Sequence, residues 1–297
     1  MPSKLSVILP CRNEALALGG LLPRLRQVLP DAEILVVDDA STDDVAAICA
    51  TQGLRCLRHP YQKGNGAAIK TGARVAQGEI LVFMDADGQH DPADIPSLLK
   101  PLDQGFDMVV GARRSGSQAN VGRGLANRIY NGLASYMTGQ PVADLTSGFR
   151  VVRATLFQEF IYLLPNRFSY PTTITMAFFR AGYHVCYIPI TAANRIGKSH
   201  LRPLQDGLRF LLIIFKIGTL YSPLKIFVPV SVIFGLLGVG YWVYTYSTLG
   251  RLSIMTVFML TTAVVVFLIG LVSEQITQLM YRPLIHTGRP RKRGLLD

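Results

Sequence analysis

The stretch of sequence that decides the fold reads ILVFMDADGQHDP, from Ile80 to Pro92. Its first five residues are apolar, which predicts a strand buried on both faces. In an open α/β sheet, ligands bind at the carboxyl ends of the strands. The acidic residues that follow this strand therefore fall where a site is expected.

Asp85 and Asp87 are separated by one residue, so on extended backbone their side chains point to the same side and can converge on one hard cation. Gly88 allows a sharp turn after them, and Gln89 adds a neutral oxygen ligand within reach. Taken alone, these residues also fit a polar turn after a buried strand. Together they predict a cation site formed by Asp85, Asp87 and Gln89.

The composition indicates that part of the chain meets lipid. Of the 297 residues, 49% are hydrophobic and only 16% are charged, and the mean hydropathy is +0.31, which is too apolar for an ordinary soluble enzyme. The apolar excess lies in two long runs near the C-terminus. We therefore expect a globular domain over residues 1–200, an amphipathic interfacial helix over 201–222, and a region 223–297 with two transmembrane helices, at about 226–246 and about 254–272.

The charge distribution predicts the partners and the orientation. The net charge of +11 favours lipid headgroups, phosphorylated substrates or nucleic acid. No nucleic-acid-binding motif is present, so we expect no nucleic acid partner. The basic tail after the second span, together with the positive-inside rule, predicts a two-span protein of the cell membrane with its N-terminal domain and both termini in the cytoplasm. The absence of a signal region and of paired cysteine spacings agrees with that location.

Strands and helices alternate from Leu5 to about residue 190, which predicts an α/β fold with a mostly parallel sheet. The first strand-to-helix turn lacks the Gly-x-Gly-x-x-Gly pattern, and no P-loop pattern follows, which excludes those two nucleotide-binding classes. Lys63 and Gly64 precede a predicted helix. They form either a simple helix start or a place where Lys63 and the helix amino end face a phosphate or a base.

Basic residues follow the strand at 107–111 and continue into the next helical stretch. Arg113 and Arg123 belong to this set, and a basic, glycine-hinged loop follows at 194–199. Arginines often coat a solvated surface. Beside a carboxylate-bound cation, we interpret these arginines as a fork that binds phosphate.

With these residues in hand, the chain resembles the family-2 glycosyltransferases of GT-A fold, and among them the polyprenyl-phosphate (dolichyl-phosphate mannose synthase-like) glycosyltransferases. The resemblance covers nearly the whole chain and depends on six motifs in order. They are PCRNE at 10–14, VDDASTD at 37–43, KGNG at 63–66, DADGQHDP at 85–92, TSGFR at 146–150 and RIGKS at 195–199.

The resemblance implies a nucleotide-diphosphate-sugar donor, with GDP or UDP as the nucleotide, and a polyprenyl phosphate acceptor. The nucleotide would contact Pro10, Asn13, Glu14 and Asp39, with Lys63 and Gly64 nearby. Mg²⁺ or Mn²⁺ on the diphosphate would be held by Asp85, Asp87 and Gln89. The acceptor phosphate would be bound by Arg113, Arg123, Arg195 and Lys198. Residue 91 is Asp where related sequences often have Pro, which adds a carboxylate to the site.

The expected chemistry is a direct displacement. A lipid phosphate is already ionised at neutral pH, so we expect no dedicated catalytic base, with Asp91 as the fallback, and inversion at the anomeric carbon. Two alternatives stay open: a family-2 glycosyltransferase that uses another membrane acceptor, such as a glycolipid or a polysaccharide, and a non-catalytic nucleotide-binding regulator in the membrane. The sequence leaves the sugar and the oligomeric state open, a homo-oligomer included.

Overall fold

The computed structural model describes residues 4–113, 121–167, 169–193, 219 and 221–280, with the backbone alone for 121–127 and 280. The chain divides into two compact units, residues 1–217 and 218–297. The first unit is an α/β domain and the second contains two apolar helices. The interfacial helix expected at 201–222 falls almost entirely outside the described residues and stays a prediction.

The first unit is built on a twisted sheet that has seven strands within the described residues. They are β1 (Leu5–Cys11), β2 (Glu33–Asp38), β3 (Arg55–Arg58), β4 (Ile80–Phe83), β5 (Met108–Arg113), β6 (Arg150–Arg153) and β7 (Val185–Ile190). Their order is β3-β2-β1-β4-β6-β5-β7, and only the pairs that include β6 are antiparallel. The prediction of a mostly parallel α/β sheet is confirmed.

Helices cover the sheet between the strands. They are α1 (Ala15–Val28), α2 (Val45–Thr51), α3 (Asn65–Val75), α4 (Ile95–Asp103), α5 (Val121–Thr138), α6 (Ala154–Phe160) and α7 (Tyr170–Arg180), with short 3₁₀ turns at Pro92–Asp94 and Ile161–Leu163. The buried face of α1 follows the helical period, with Leu18, Leu21, Leu22 and Leu25 in the core beside Val7 and Val82. This packing holds β1 and β4 rigidly, and their carboxyl ends with them.

Strand β6 runs against its neighbours, and this reversal positions part of the site. Its first residue, Arg150, pairs with Phe83 near the end of β4 and with Val110 in β5. The residues just before Arg150 therefore lie at the carboxyl edge of the parallel strands. Strand and helix alternation alone did not predict the direction of β6.

The second unit is a helical hairpin. Its helices are Pro223–Leu249, with a mean hydropathy of 2.1, and Ile254–Met280, whose apolar part to Leu279 has a mean hydropathy of 2.5. By length and composition, both could cross a membrane, and both extend a few residues past the predicted spans. Small residues allow close packing: a Cβ on Gly238 would lie 2.9 Å from Leu260 Cδ2, and one on Gly270 would lie 2.7 Å from Phe227 Cβ.

Candidate active site

The turn that follows β4 carries the two predicted carboxylates. Asp85 is half-buried, with 32% of its side chain exposed, whereas Asp87 is buried. Asp87 Oδ1 accepts a hydrogen bond of 3.1 Å from the backbone N–H of Gln89, and Gly88 has a φ of +76°. The positive φ explains the glycine, and the hydrogen bond fixes the path of the turn from Asp87 to Gln89.

Gly148, from the TSGFR motif, packs directly against Asp85. A Cβ built on Gly148 would lie 2.6 Å from Asp85 Oδ2 and 3.1 Å from its Cγ. The φ of Gly148 is not positive, so this glycine is required by close approach and not by backbone conformation. Two motifs whose contacting residues, Asp85 and Gly148, are 63 positions apart in sequence thus meet at one carboxylate.

The segment 144–150 that presents Gly148 is held by buried hydrogen bonds. Asp144 Oδ1 accepts from the N–H groups of Thr146 and Ser147, both at 3.1 Å. The Ser147 hydroxyl donates to the carbonyl of Gly111 at 2.6 Å. Arg150, fully buried, donates to the Ser147 carbonyl through Nε and Nη2, at 3.2 and 2.6 Å. These bonds make the support behind Asp85 rigid.

His90 also lies beside Asp85. Its ring is buried and stacks on Phe149, with ring centroids 5.0 Å apart and an interplanar angle of 28°. His90 Nε2 lies 3.9 Å from Asp85 Oδ2. Asn65 Nδ2 lies 3.4 Å from the other carboxylate oxygen, Oδ1. Burial lowers the pKa of His90 to about 4, so the ring is neutral at physiological pH.

Asp39, which follows Asp38 at the end of β2, stabilises a turn of the chain. Asp39 Oδ1 accepts from Lys63 N and from His59 Nδ1, both at 2.8 Å, and Oδ2 accepts from Gly64 N at 2.7 Å. Burial alone would raise the pKa of Asp39, but these bonds outweigh it and lower the pKa. The carboxylate thereby fixes the turn at Lys63 and Gly64, and the predicted contact with a nucleotide stays untested.

The structure contradicts one part of the prediction for the KGNG motif, namely that the amino end of α3 faces a phosphate or a base. The N–H groups of Gly66 and Ala67, at the amino end of α3, donate to the carbonyls of Arg167 and Asn166, at 3.3 and 2.8 Å. They are therefore not directed at a phosphate, because a protein loop satisfies them. The tight fit explains the glycine at position 66, where a Cβ would lie 2.0 Å from the Pro165 carbonyl oxygen. Lys63 keeps its place in the prediction.

The PCRNE motif forms the end of β1 and the turn into α1. Pro10 is a buried strand residue, and Glu14 is the residue that precedes α1. Asn13 has a φ of +54°, and its side-chain oxygen accepts from the backbone N–H of Thr42 at 2.8 Å. Its own N–H donates to Ser41 Oγ at 3.0 Å. The turns after β1 and β2 are thus joined by hydrogen bonds from Asn13 to Ser41 and from Thr42 to Asn13.

Arg113, at the end of β5, is bound by Asp144. Its Nε and Nη2 donate to the two carboxylate oxygens at 2.8 and 3.0 Å, and Nη2 also donates to Thr146 Oγ1 at 2.6 Å. These bonds do not use Nη1. The bidentate pair fixes the guanidinium at the carboxyl edge of the sheet, where it keeps capacity for a further anion.

Asp91 caps the 3₁₀ turn at Pro92–Asp94. Its Oδ1 accepts from the N–H of Ala93 at 2.9 Å and forms an ion pair with Arg24 Nη2 at 2.7 Å. Both contacts are structural, and they favour a capping role over that of a catalytic base.

The remaining basic residues of the prediction are only partly described. Arg123 belongs to α5, where only its backbone is described. Arg195 and Lys198 lie outside the described residues. The chain that leads to Arg195 passes the site, because the N–H of Ala193 donates to the carbonyl of Gln89 at 2.9 Å.

The turn after β4 fits a divalent cation that arrives with a diphosphate. Carboxylate and amide oxygens are hard metal ligands. Mg²⁺ is commonly held by one or two carboxylates together with substrate phosphates. In the part of the chain that is described, no group of three or more His, Cys, Asp and Glu side chains could enclose a metal ion. The partial exposure of Asp85 leaves it accessible to such a complex.

Comparison with known proteins agrees with this geometry. Residues 6–161 match the model of the family "Glycosyl transferase family 2", and residues 222–279 match the "GtrB C-terminal hairpin". The resemblance drawn from the six motifs is confirmed by these matches.

Two curated relatives have polyprenyl-phosphate transferase names. The chain is 31% identical to an undecaprenyl-phosphate 4-deoxy-4-formamido-L-arabinose transferase of Photorhabdus laumondii, over 57% of this chain and 58% of that protein. It is 30% identical to an undecaprenyl-phosphate mannosyltransferase of Micrococcus luteus, over 65% of this chain and 86% of that protein. The chain thus spans little more than half of the first relative.

A solved structure shares the fold. Glucosyl-3-phosphoglycerate synthase from Mycobacterium tuberculosis, crystallised with Mn²⁺ and UDP-glucose, superposes with a TM-score of 0.56 at 23% identity, over 73% of this chain and 78% of that chain. This likeness supports the GT-A fold.

The sequence alone did not predict a role for five residues of the site. They are Asn65, His90, Asp144, Gly148 and Arg150, all of which lie in or next to the six motifs. The glycine and the arginine of TSGFR were visible as pattern elements, but nothing in the pattern indicated that this segment supports Asp85. The direction of β6 would have supplied that information.

Proposed function

Because this chain belongs to glycosyl transferase family 2, we propose that it is a membrane-anchored enzyme that transfers a sugar from a nucleotide-diphosphate-sugar to a polyprenyl phosphate. One observation carries the proposal. The carboxylate turn of β4 and the fixed guanidinium of Arg113 on β5 lie at the same edge of one sheet, with Gly148 and Asp144 of a single turn packed against them. In this proposal the turn would hold a diphosphate, and the guanidinium beside it would hold a second phosphate.

The donor would be bound at the joined turns of β1, β2 and β4. Asp39 holds Lys63 and Gly64 in place by hydrogen bonds to their N–H groups, and Asn13 ties the turn of β1 to that of β2. Lys63 would then face the phosphates, with GDP and UDP both compatible as nucleotides. Asp85, Asp87 and Gln89 would hold Mg²⁺ or Mn²⁺, which when bound neutralises charge on the departing diphosphate.

In the proposed reaction, a phosphate oxygen of the lipid forms a bond to the anomeric carbon as the bond from that carbon to the diphosphate oxygen breaks. The nucleoside diphosphate leaves with the electron pair, and the anomeric configuration inverts. The lipid phosphate is ionised at neutral pH because its second pKa is near 6 by analogy with phosphoamino acids. It needs orientation more than deprotonation, so the role of the chain is to position it.

Arg113 is the described residue best suited to orient the acceptor phosphate. Its guanidinium is held by Asp144 and Thr146, so little side-chain entropy remains to be lost on binding. Arg123, Arg195 and Lys198 would add further positive charge.

The apolar hairpin favours a lipid as the acceptor. A polyprenyl chain stays in the bilayer, so an enzyme that uses its phosphate must work at headgroup depth. The matches to relatives named as undecaprenyl-phosphate transferases support the same acceptor class. By the positive-inside rule, the catalytic domain and both termini would lie in the cytoplasm.

The test is a donor panel. Purified protein is incubated with undecaprenyl or dolichyl phosphate and radiolabelled UDP- or GDP-sugars, and the organic phase is counted. We expect label in the organic phase with at least one donor, and only when lipid phosphate is present. Label that appears without lipid phosphate favours another membrane acceptor, and donor binding without transfer in any mixture favours a nucleotide-binding regulator.

A further inference from the structure

A buried polar ring next to a proposed cation ligand calls for a physical explanation. His90 is 6% exposed, and its Nδ1 has no hydrogen-bond partner. A buried polar atom without a hydrogen-bond partner destabilises the fold. Stacking on Phe149 could be provided at lower cost by an apolar ring, so packing alone does not account for a histidine here.

The two ring nitrogens have different surroundings. Nδ1 is enclosed without a partner, whereas Nε2 lies 3.9 Å from Oδ2 of Asp85. A proton on Nδ1 would bury an unpaired donor, but a proton on Nε2 faces a carboxylate. We assign the Nε2–H tautomer on that ground. At 3.9 Å the contact is an electrostatic attraction and is too long for a hydrogen bond.

The same Asp85 Oδ2 atom is the one that Gly148 approaches, and Gly148 is the neighbour of Phe149, on which His90 stacks. Asn65 Nδ2 approaches the other oxygen, Oδ1. The carboxylate is therefore bounded by a backbone wall, an N–H group of a buried ring and an amide. If the carboxylate rotated, Oδ2 would either contact the backbone at Gly148 or move away from the His90 ring.

From this arrangement we propose that His90 is a positioning residue: its Nε2–H orients the Asp85 carboxylate and so raises the affinity of the site for a divalent cation bound together with a nucleoside diphosphate. The inference rests on the proposed function, because it requires that Asp85 is a cation ligand. Groups that orient a ligand in this way typically change metal affinity 10- to 100-fold.

Three substitutions separate orientation from packing. His90→Gln keeps an N–H donor near the position of Nε2, His90→Asn moves the donor to the position of Nδ1, and His90→Phe keeps the stacking on Phe149 with no donor. Each full-length variant is titrated with Mn²⁺ in the presence of GDP or UDP, and bound Mn²⁺ is measured by the loss of the free-ion EPR signal. Thermal unfolding by circular dichroism checks that each variant is folded.

We expect His90→Phe and His90→Asn to bind Mn²⁺ about 10-fold or more weakly than wild type and His90→Gln to bind within about 3-fold of it. If His90→Phe fails to fold, the Gln and Asn variants decide in the same way. Folded His90→Phe with wild-type affinity, or Gln and Asn variants that bind equally, overturns the proposal for His90 alone. Wild-type protein that binds no Mn²⁺ with either nucleotide overturns both this inference and the cation site of the proposed function.

Discussion

The ends of β2 and β4 carry two acidic pairs that differ in what surrounds them. Both strands flank β1 and are parallel to it, and each delivers its carboxylates to the same edge of the sheet. Asp39 accepts three hydrogen bonds from the chain, with its side chain 5% exposed. Asp85 is 32% exposed, and the polar groups of Asn65 and His90 lie 3.4 and 3.9 Å away.

The difference teaches that position at a sheet edge does not by itself identify a ligand-binding carboxylate. A carboxylate whose oxygens already accept short hydrogen bonds from the backbone stabilises a turn, and removing it disturbs the fold. A carboxylate whose side chain remains partly exposed, as that of Asp85 does, stays accessible to a cation. The predictions below separate these two roles.

The largest effect is expected from metal removal. Chelation with EDTA should abolish transfer, because the charge on the leaving diphosphate is then not neutralised. Added Mg²⁺ or Mn²⁺ should restore it, measured as organic-phase label. Transfer that persists in EDTA at an undiminished rate contradicts the proposed role of the carboxylate turn.

Substitution of Asp85 separates the two acidic pairs. Asp85→Asn should reduce transfer by about 10³-fold or more, since several kcal/mol of transition-state stabilisation are lost, while the melting temperature stays near that of wild type. The matched control is Asp103→Asn on the exposed end of α4, which should change neither quantity. An Asp85→Asn enzyme with more than a tenth of wild-type activity would show that Asp85 is not a ligand.

Gly148→Ala tests the wall behind Asp85. The added Cβ would lie 2.6 Å from Asp85 Oδ2, so the carboxylate must move, and a displacement of about 1 Å can cost about 10²-fold in rate. The measurement is the transfer rate together with Mn²⁺ affinity. Gly132→Ala, on an exposed face of α5 with open space around its Cβ, is the control and should leave both unchanged. Equal behaviour of the two variants contradicts the contact.

Arg113→Lys tests the acceptor side. A lysine cannot reproduce the bidentate contact with Asp144, so the positively charged group of residue 113 loses its fixed position. We expect the KM for lipid phosphate to rise about 10-fold, equivalent to about 1.4 kcal/mol, with the KM for the donor nearly constant. Arg26→Lys, on the exposed face of α1, serves as the control. A rise in the donor KM instead would move Arg113 to the donor site.

Asp39→Asn should act mainly on stability. The amide cannot accept from Lys63 N, Gly64 N and His59 together, which should lower the free energy of unfolding by about 2–3 kcal/mol. The pKa of Asp39 is lowered in the fold. Its contribution is therefore complete above the unfolded pKa, about 3.9, and is lost as the pH falls through the lower folded value.

The measurement for Asp39 is the melting temperature of the full-length protein in detergent between about pH 6 and pH 2.5. The difference between wild type and Asp39→Asn should shrink as the pH falls below about 4. A difference that stays constant over this range would show that the charge of Asp39 does not stabilise the fold.

The sequence predicted the sheet and the placement of Asp85 and Asp87 because both depend on local patterns. Buried strands such as Ile80–Phe83 are apolar runs, and the residues after them must lie at the carboxyl edge of a parallel sheet. The predicted roles of Arg123, Arg195 and Lys198 stay predictions, because their side chains lie outside the described residues.

What the sequence could not predict depends on contacts between distant segments. Asp39 and Asp85 each follow an apolar strand, and nothing local reveals that Asp39 accepts short hydrogen bonds from the turn at Lys63 and Gly64. The antiparallel direction of β6 brings Gly148 to Asp85. The loop at Asn166 and Arg167 occupies the amino end of α3, which the KGNG motif alone did not indicate.

The most direct test of the account is the structure of the lipid product. Product extracted after incubation with donor and polyprenyl phosphate is analysed by ³¹P and ¹H NMR. We expect a phosphodiester between the lipid phosphate and the anomeric carbon, with the configuration opposite to that of the donor. A sugar linked through any other atom, or one that keeps the configuration of the donor, contradicts direct displacement by the lipid phosphate at the carboxylate turn of β4.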